Sequence, residues 1–149
     1  MKKYTKLDAQ GNALPDSAES WSIVKDEATG LIWEMKTDDG SIHDKSKTYN
    51  WDDAQKVHIA NLNAMHFGGY SDWRPPTVEE LQSLVDYTCY NPAINTAYFP
   101  NTMSSYYWSS TTHAIYSAGA WCVHFGYSRI KHYDKSRSFC VRAVRGDGD

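Results

Sequence analysis

From Tyr106 onward apolar side chains recur at every second position: Trp121, Val123 and Phe125 alternate with Cys122 and His124, and Phe139, Val141 and Ala143 alternate with Cys140 and Arg142. A period of two belongs to half-buried β-strands. Tyr106-Tyr107-Trp108-Ser109-Ser110-Thr111 is rich in strand formers and adds another. Gly126-Tyr127 lies where two such runs meet, and glycine first in a two-residue loop is a type II′ hairpin signature. That turn predicts Phe125 opposite Ser128, Val123 opposite Ile130 and Trp121 opposite His132. It sends Trp121, Val123, Phe125 and Ile130 to the core, and Cys122, His124, Arg129, Lys131 and Tyr133 to the other face.

Upstream the period changes to three and four. Trp51, Ala54, Val57, His58, Ala60, Leu62 and Met65 follow a capping Asn50 with acids in the first turn, which predicts a helix ending at Gly68-Gly69. A second helix is expected from Thr77, with Glu80 completing a capping box and Leu81, Leu84 and Val85 as its apolar stripe, ending near Tyr87. Earlier still, Trp21-Ser22-Ile23-Val24 and Leu31-Ile32-Trp33-Glu34-Met35 flank Ala28-Thr29-Gly30 as a strand pair. Helices and strands are therefore segregated, as in an α+β domain. Residues 1–20 read as an irregular lead-in, 21–146 as one domain and 147–149 as a tail.

At 149 residues and 17.0 kDa, the chain excludes a multidomain enzyme. A net charge of -3 and a sequence pI near 6.0 give no global basic field, so no nucleic-acid partner is expected. Aromatic residues make up 14 %, beyond what a small core needs, which points to an interface. No apolar run is long enough to span a membrane. Met1-Lys2-Lys3 leads into polar residues, so no export signal is expected, in keeping with a cytosolic or virion-borne protein or with a chain trimmed of its leader.

Chemistry-bearing motifs are sparse. The six histidines are scattered, with His124 and His132 on opposite faces of the expected hairpin, so no metal site is expected; nor is a cofactor. Cys89, Cys122 and Cys140 show no CxxC spacing. Cys122 beside His124 could be a nucleophile and base, a packed free thiol, or one half of a disulfide with Cys140. Asp52-Asp53 and Glu79-Glu80 sit where helix N-termini favour carboxylates, and read as caps rather than acid–base pairs. Phosphate loops, GxSxG and HExxH are absent, and the chain is expected not to be an enzyme. Charge is uneven: residues 104–149 carry a net +3 against -6 elsewhere, which leaves polyanion binding through Arg129, Lys131, Lys135 and Arg137 as an alternative.

Thr29-Gly30-Leu31-Ile32-Trp33-Glu34, Gly68-Gly69-Tyr70-Ser71-Asp72-Trp73-Arg74-Pro75-Pro76-Thr77-Val78-Glu79-Glu80-Leu81, Tyr107-Trp108-Ser109-Ser110-Thr111, Ala120-Trp121 and Val141-Arg142-Ala143-Val144-Arg145-Gly146 occur in that order. Together they resemble the Legionella collagen-like protein C-terminal domain family over about residues 20–146. The resemblance implies a C-type lectin-like fold of the formylglycine-generating type, with two helices packed on a twisted antiparallel sheet. It also implies scaffold roles: Trp73 and Arg74 bracing the turn between the helices, Trp108 and Trp121 filling the core, Arg142 and Arg145 closing the last strand with salt bridges. The Glu-Pro-Asn, Gln-Pro-Asp and Trp-Asn-Asp tripeptides of calcium-dependent sugar sites are missing, as is any identifiable oxidase cysteine pair.

Domains similar to this one also serve as variable proteins of diversity-generating retroelements, in which template AAY codons are randomised between the WSST and VRAVR motifs. Such codons cannot yield Trp, Met, Gln, Lys or Glu. Residues 109–140 hold three of that set (Trp121, Lys131, Lys135) against 25 in residues 1–108, a depletion in the direction this origin requires. A sheet with a fixed inner face can vary its outward side chains, and Tyr, Ser and His suit a binding surface. The expected ligand face is His113, Ala114, Ile115, Tyr116 and Ser117, with His124, Tyr127, Ser128, Arg129, His132, Tyr133, Asp134, Ser136 and Ser138, for a protein or glycan ligand.

Overall fold

The computed structural model describes residues 3–146; the expected tail at 147–149 lies outside the described residues. β2 (Ile23–Asp26) and β3 (Ile32–Glu34) form the expected hairpin, with Val24 opposite Trp33. Its turn is closed on Asp26, which accepts from Ala28 N–H through its carboxylate and from Gly30 N–H through its carbonyl.

The lead-in is irregular only after its first strand. β1 (Tyr4–Leu7) pairs with β2, Leu7 opposite Ile23. The strand is four residues long and half polar, too short to show a period, and even Lys6 is buried there. Its ammonium donates to the carbonyls of Asp16 and Ala18 and lies 3.9 Å over the Trp21 ring. β7 (Val144–Arg145) adds to β3, giving the order β1-β2-β3-β7.

Helix α1 spans 51–64, opening with Trp51–Asp53, widening to π turns at Ala54–Ile59 and closing with Ala60–Ala64. Asn50 caps it by accepting from Asp53 N–H, and Ala54, His58 and Leu62 form a buried stripe at four-residue steps. The chain leaves through Gly68 at φ 66°, where a Cβ would lie 2.3 Å from Ile23 Cδ1. The second helix, α2 (Val78–Gln82), has the expected capping box but stops well before Tyr87. Ser83 Oγ donates to the Glu80 carbonyl, and Asp86 takes the N–H and hydroxyl of Thr88, so local side-chain bonds replace further helical ones.

β4 (Tyr106–Thr112), β5 (Gly119–His124) and β6 (Arg129–Asp134) form a second antiparallel sheet in the order β4-β5-β6. Trp121 opposes His132 and Val123 opposes Ile130, as the sequence predicts. The turn differs: it is a four-residue loop, 125–128, in which Ser128 rather than Gly126 takes the left-handed conformation (φ 55°). Gly126 is there for space, since a Cβ would stand 2.7 Å from His124 Cε1.

Both faces of this sheet are covered, which corrects the expected division into core and outward residues. Tyr107, Val123 and Phe125 join Trp33, Leu81, Phe99 and Val144 in the central core, while Trp108, Ala120 and Cys122 pack with Ala54, Phe139 and Val141 on the other side. Cys122 is therefore fully buried, and Trp121 beside it is only half-buried. Phe139 to Ala143 do not alternate; all five are buried, because this segment connects the sheets, bridging Cys140 to Tyr107 before it becomes β7. Trp73 and Arg74 hold the junction before α2 as expected. Trp73 Nε1 donates to the Phe67 carbonyl, and the Arg74 guanidinium grips Glu80 at 2.7 and 2.8 Å. Arg145 pairs with Asp72 at 2.7 Å, but Arg142 is buried and donates to the Glu34 carbonyl and the Thr102 hydroxyl instead of a carboxylate.

Candidate functional site

The expected ligand residues divide between the two ends of the β4-β5-β6 sheet. One tip is the loop between β4 and β5, carrying His113 to Ser117. Here Ala114, Ile115, Tyr116 and Ser117 are exposed, and His113 is half-buried. The His113 ring lies 4.0 Å from that of His132 and 5.0 Å from Trp121, so two imidazoles and an indole form one surface cluster. Tyr116 donates its hydroxyl to Asp134 at 2.8 Å, while Asp134 also takes the Ser136 N–H. The Ser136 and Tyr116 bonds hold the Asp134 carboxyl down at about 2.

The other tip is the 125–128 loop, with Tyr127 exposed, Ser128 half-buried and Arg129 5.9 Å over the Tyr127 ring. Tyr127 stacks on His124 with centroids 4.7 Å apart. A second loop docks here: Asn91 N–H donates to the Gly126 carbonyl at 3.3 Å, and Ala93 N–H to that of Phe125. Between the loops lies a cleft of 530 Å³ walled by Tyr87, Cys89, Tyr90, Asn91, Gly126, Tyr127 and Ser128. Tyr87, Tyr90 and Tyr127 are 69 %, 85 % and 75 % exposed. Tyr87 and Tyr90 escape sequence reasoning because they are remote from the strands. The available signal was two tyrosines ahead of an Asn91-Pro92 turn signature, with no apolar period to bury them.

Between the tips the expected face is partly structural. Tyr133 is half-buried, packs on Tyr106 and Phe139, and donates to the Tyr106 hydroxyl at 3.2 Å. Ser136 and Ser138 are exposed beyond the end of β6. Of the basic residues, Lys135 is half-buried, sits 4.1 Å over Trp51 and donates to Thr112, whereas Arg129, Lys131 and Arg137 are exposed, Arg137 lying 4.9 Å over Tyr133.

Nothing in the geometry favours Cys122 as a nucleophile. Burial pushes its thiol up to about 12, and it points to the Ala120 carbonyl at 3.7 Å. His124 Nδ1 is engaged by the Gly126 and Tyr127 N–H groups. Cys89, Cys122 and Cys140 are free thiols, so the possible Cys122–Cys140 disulfide is not formed. Among the described residues no three His, Cys, Asp or Glu side chains gather as a metal would require.

A buried polar centre lies apart from both tips. Glu34 is fully buried and accepts from His43 Nδ1 at 2.7 Å, His58 Nε2 at 3.0 Å, Lys36 Nζ at 3.2 Å and Ala143 N–H at 3.0 Å. Burial pushes its carboxyl up, but Lys36, His58 and His43 together hold it well below the usual range.

No helix among the described residues is long and apolar enough to cross a membrane. No curated protein matches the chain. The model of one protein family does, that of the Lcl C-terminal domain, over residues 22–145. The matched stretch runs from β2 to β7 and so includes both sheets, the helices and both tips; this chain belongs to the Lcl C-terminal domain family.

Proposed function

We propose that this chain is a non-enzymatic binding module that captures a protein or glycan ligand at the tips of the β4-β5-β6 sheet, with the tyrosine cleft as its centre. The observation that carries this reading is the set of three widely exposed tyrosines around one cleft, on loops tied together by backbone hydrogen bonds. Tyrosine offers a large contact area at low entropic cost, and loops held by a sheet offer it without reorganisation. The succession of hairpin, helices and terminal antiparallel strands supports a C-type lectin-like variant. The exposed tip residues Ala114, Ile115, Ser117 and Tyr127 have side chains outside the core clusters, which suits a surface diversified by a retroelement.

A glycan array and a protein-interaction screen, each run with the wild type and with Tyr87→Ala and Tyr127→Ala, test the reading. A ligand kept by both variants would defeat it. Sequencing the locus tests the diversified origin, which requires a near-identical template repeat with Asn codons at the tip positions and a reverse transcriptase. A second reading, polyanion binding, is favoured by the exposed Arg129 and Lys131. It requires salt-sensitive retention on heparin, and elution at or below about 0.15 M salt would count against it.

A further inference from the structure

His113-Ala114-Ile115-Tyr116 and His124-Phe125-Gly126-Tyr127 share the spacing His-x-x-Tyr, and each closes a loop at one tip of the sheet. Their geometry also matches. His113 Nδ1 accepts from Ile115 N–H at 3.2 Å and Tyr116 N–H at 2.9 Å; His124 Nδ1 accepts from Gly126 N–H at 3.0 Å and Tyr127 N–H at 3.2 Å. We infer that His113 and His124 are positioning residues that fix Tyr116 and Tyr127 in the ligand surface, and that protonation of their Nδ1 atoms releases both loops in mild acid. The proposed role of the tips in binding is the reading on which this device rests.

A ring nitrogen can accept from two N–H groups only while it keeps its lone pair. A proton there turns the acceptor into a third donor facing two others. Elsewhere in the chain the same local cap is made by carboxylates: Asp8, Asp44, Asp86 and Asp134 each accept the N–H two residues on. Carboxylates keep that role to far lower pH than imidazole, so the tips are held by caps that fail first on acidification.

The surroundings of each histidine agree. Around His124, Tyr106 of β4 lies edge-on at 4.6 Å, Cys122 precedes it on the same face of β5, Tyr127 stacks on it, and Arg129 of β6 stands opposite in register. Tyr87, Cys89 and Tyr90 line the adjoining cleft. These groups are neutral or positive in mild acid, and burial followed by the Arg129 charge holds His124 below its ordinary value. Beside His113 stand His132 at 4.0 Å and Asp134, which is reached through Tyr116.

The test is NMR of the whole chain from about pH 8 to about pH 5. Imidazole spectra should show the Nε2–H tautomer at neutral pH. The Gly126 and Tyr127 amides should move with the His124 midpoint, below the ordinary 6.5, and their heteronuclear NOEs should fall with it. His124→Asn places Oδ1 where Nδ1 stood and remains an acceptor at every pH. It should abolish the acid shift of Gly126 and Tyr127 while leaving that of Ile115 and Tyr116, and His113→Asn should do the reverse. His124→Phe should displace the Gly126 and Tyr127 amides across the whole range. An Nδ1–H tautomer, or acid shifts that persist in His124→Asn, would overturn the inference. Failure of the binding reading would look different, with these titrations intact and ligand capture insensitive to Tyr87→Ala and Tyr127→Ala.

Discussion

Behind β3, His43 and His58 point a nitrogen at one interior carboxylate, Glu34; at the sheet tips, His113 and His124 use Nδ1 to accept from backbone N–H groups near solvent. The first arrangement binds elements far apart in the chain, since Glu34 also meets Ala143 N–H and Lys36. The second binds only the histidine's own loop. Ordering within a loop costs little to undo, whereas a buried charge stripped of its partner cannot be rehydrated without opening the core. The interior therefore specifies the fold, and the proposed responses to pH and ligand are confined to the tips.

The largest expected effect breaks the interior. Glu34→Ala removes the carboxylate that faces Lys36 and leaves the Lys36 and Arg142 cations buried, which should cost about 3–5 kcal/mol in urea titration. Acid should separate the two regions in order. His124 is depressed in the folded state, so its contribution is whole above 6.5 and lost as pH falls through its folded value. The Glu34 carboxyl is also depressed, from 4.5, so its contribution is whole above 4.5 and lost only at lower pH. Tip amides should loosen on acidification before near-UV circular dichroism reports loss of the core. Simultaneous loss would show that the tips are not independent of the interior.

Next in size is the contrast between two tryptophans that the sequence treats alike. Trp108 is fully buried against Phe139 and donates to the Tyr49 carbonyl, so Trp108→Ala should cost about 3–5 kcal/mol. Trp121 is half-buried against two imidazoles, and Trp121→Ala should cost about 1–2 kcal/mol. Equal losses would return Trp121 to the core.

That contrast marks where the sequence is legible. Period and turn residues predict the β5–β6 register correctly, because register depends on local alternation and loop closure. Alternation says which residues share a face, not which face is covered, and here both are, so Cys122 was expected outside and Trp121 inside. β1 is invisible because its burial depends on β2 and on Lys6 finding two carbonyls. In the proposed ligand face, Tyr116 and Tyr127 are readable from composition near the strands. Tyr87 and Tyr90 are not, since only the backbone bonds from Asn91 and Ala93 to the 125–128 loop bring them there. The Glu34 centre draws on residues from 34 to 143 and leaves no local pattern at all.

Tyr133 and Tyr127 sharpen the comparison within the expected face. Tyr133→Ala strips a ring packed on Tyr106 and Phe139 together with a hydroxyl bond, and should cost about 1–2 kcal/mol. Tyr127→Ala should shift stability by no more than about 0.5 kcal/mol, as should Tyr87→Ala and Tyr90→Ala.

The smallest effect on stability is expected to accompany the largest on function. Tyr87, Tyr90 and Tyr127 contribute exposed ring area, while the loops that carry them are held by main-chain bonds that truncation to alanine leaves in place. A central aromatic side chain in an interface typically contributes 2 kcal/mol or more to binding, about thirtyfold in affinity, without contributing to the unbound fold. Each single variant should therefore melt with the wild type and bind its ligand at least about thirtyfold more weakly. The measurements are a thermal melt and an isothermal titration on the same samples. Variants that melt early would place the tyrosines in the scaffold, and variants that melt normally yet bind normally would defeat the proposed site at the tyrosine cleft.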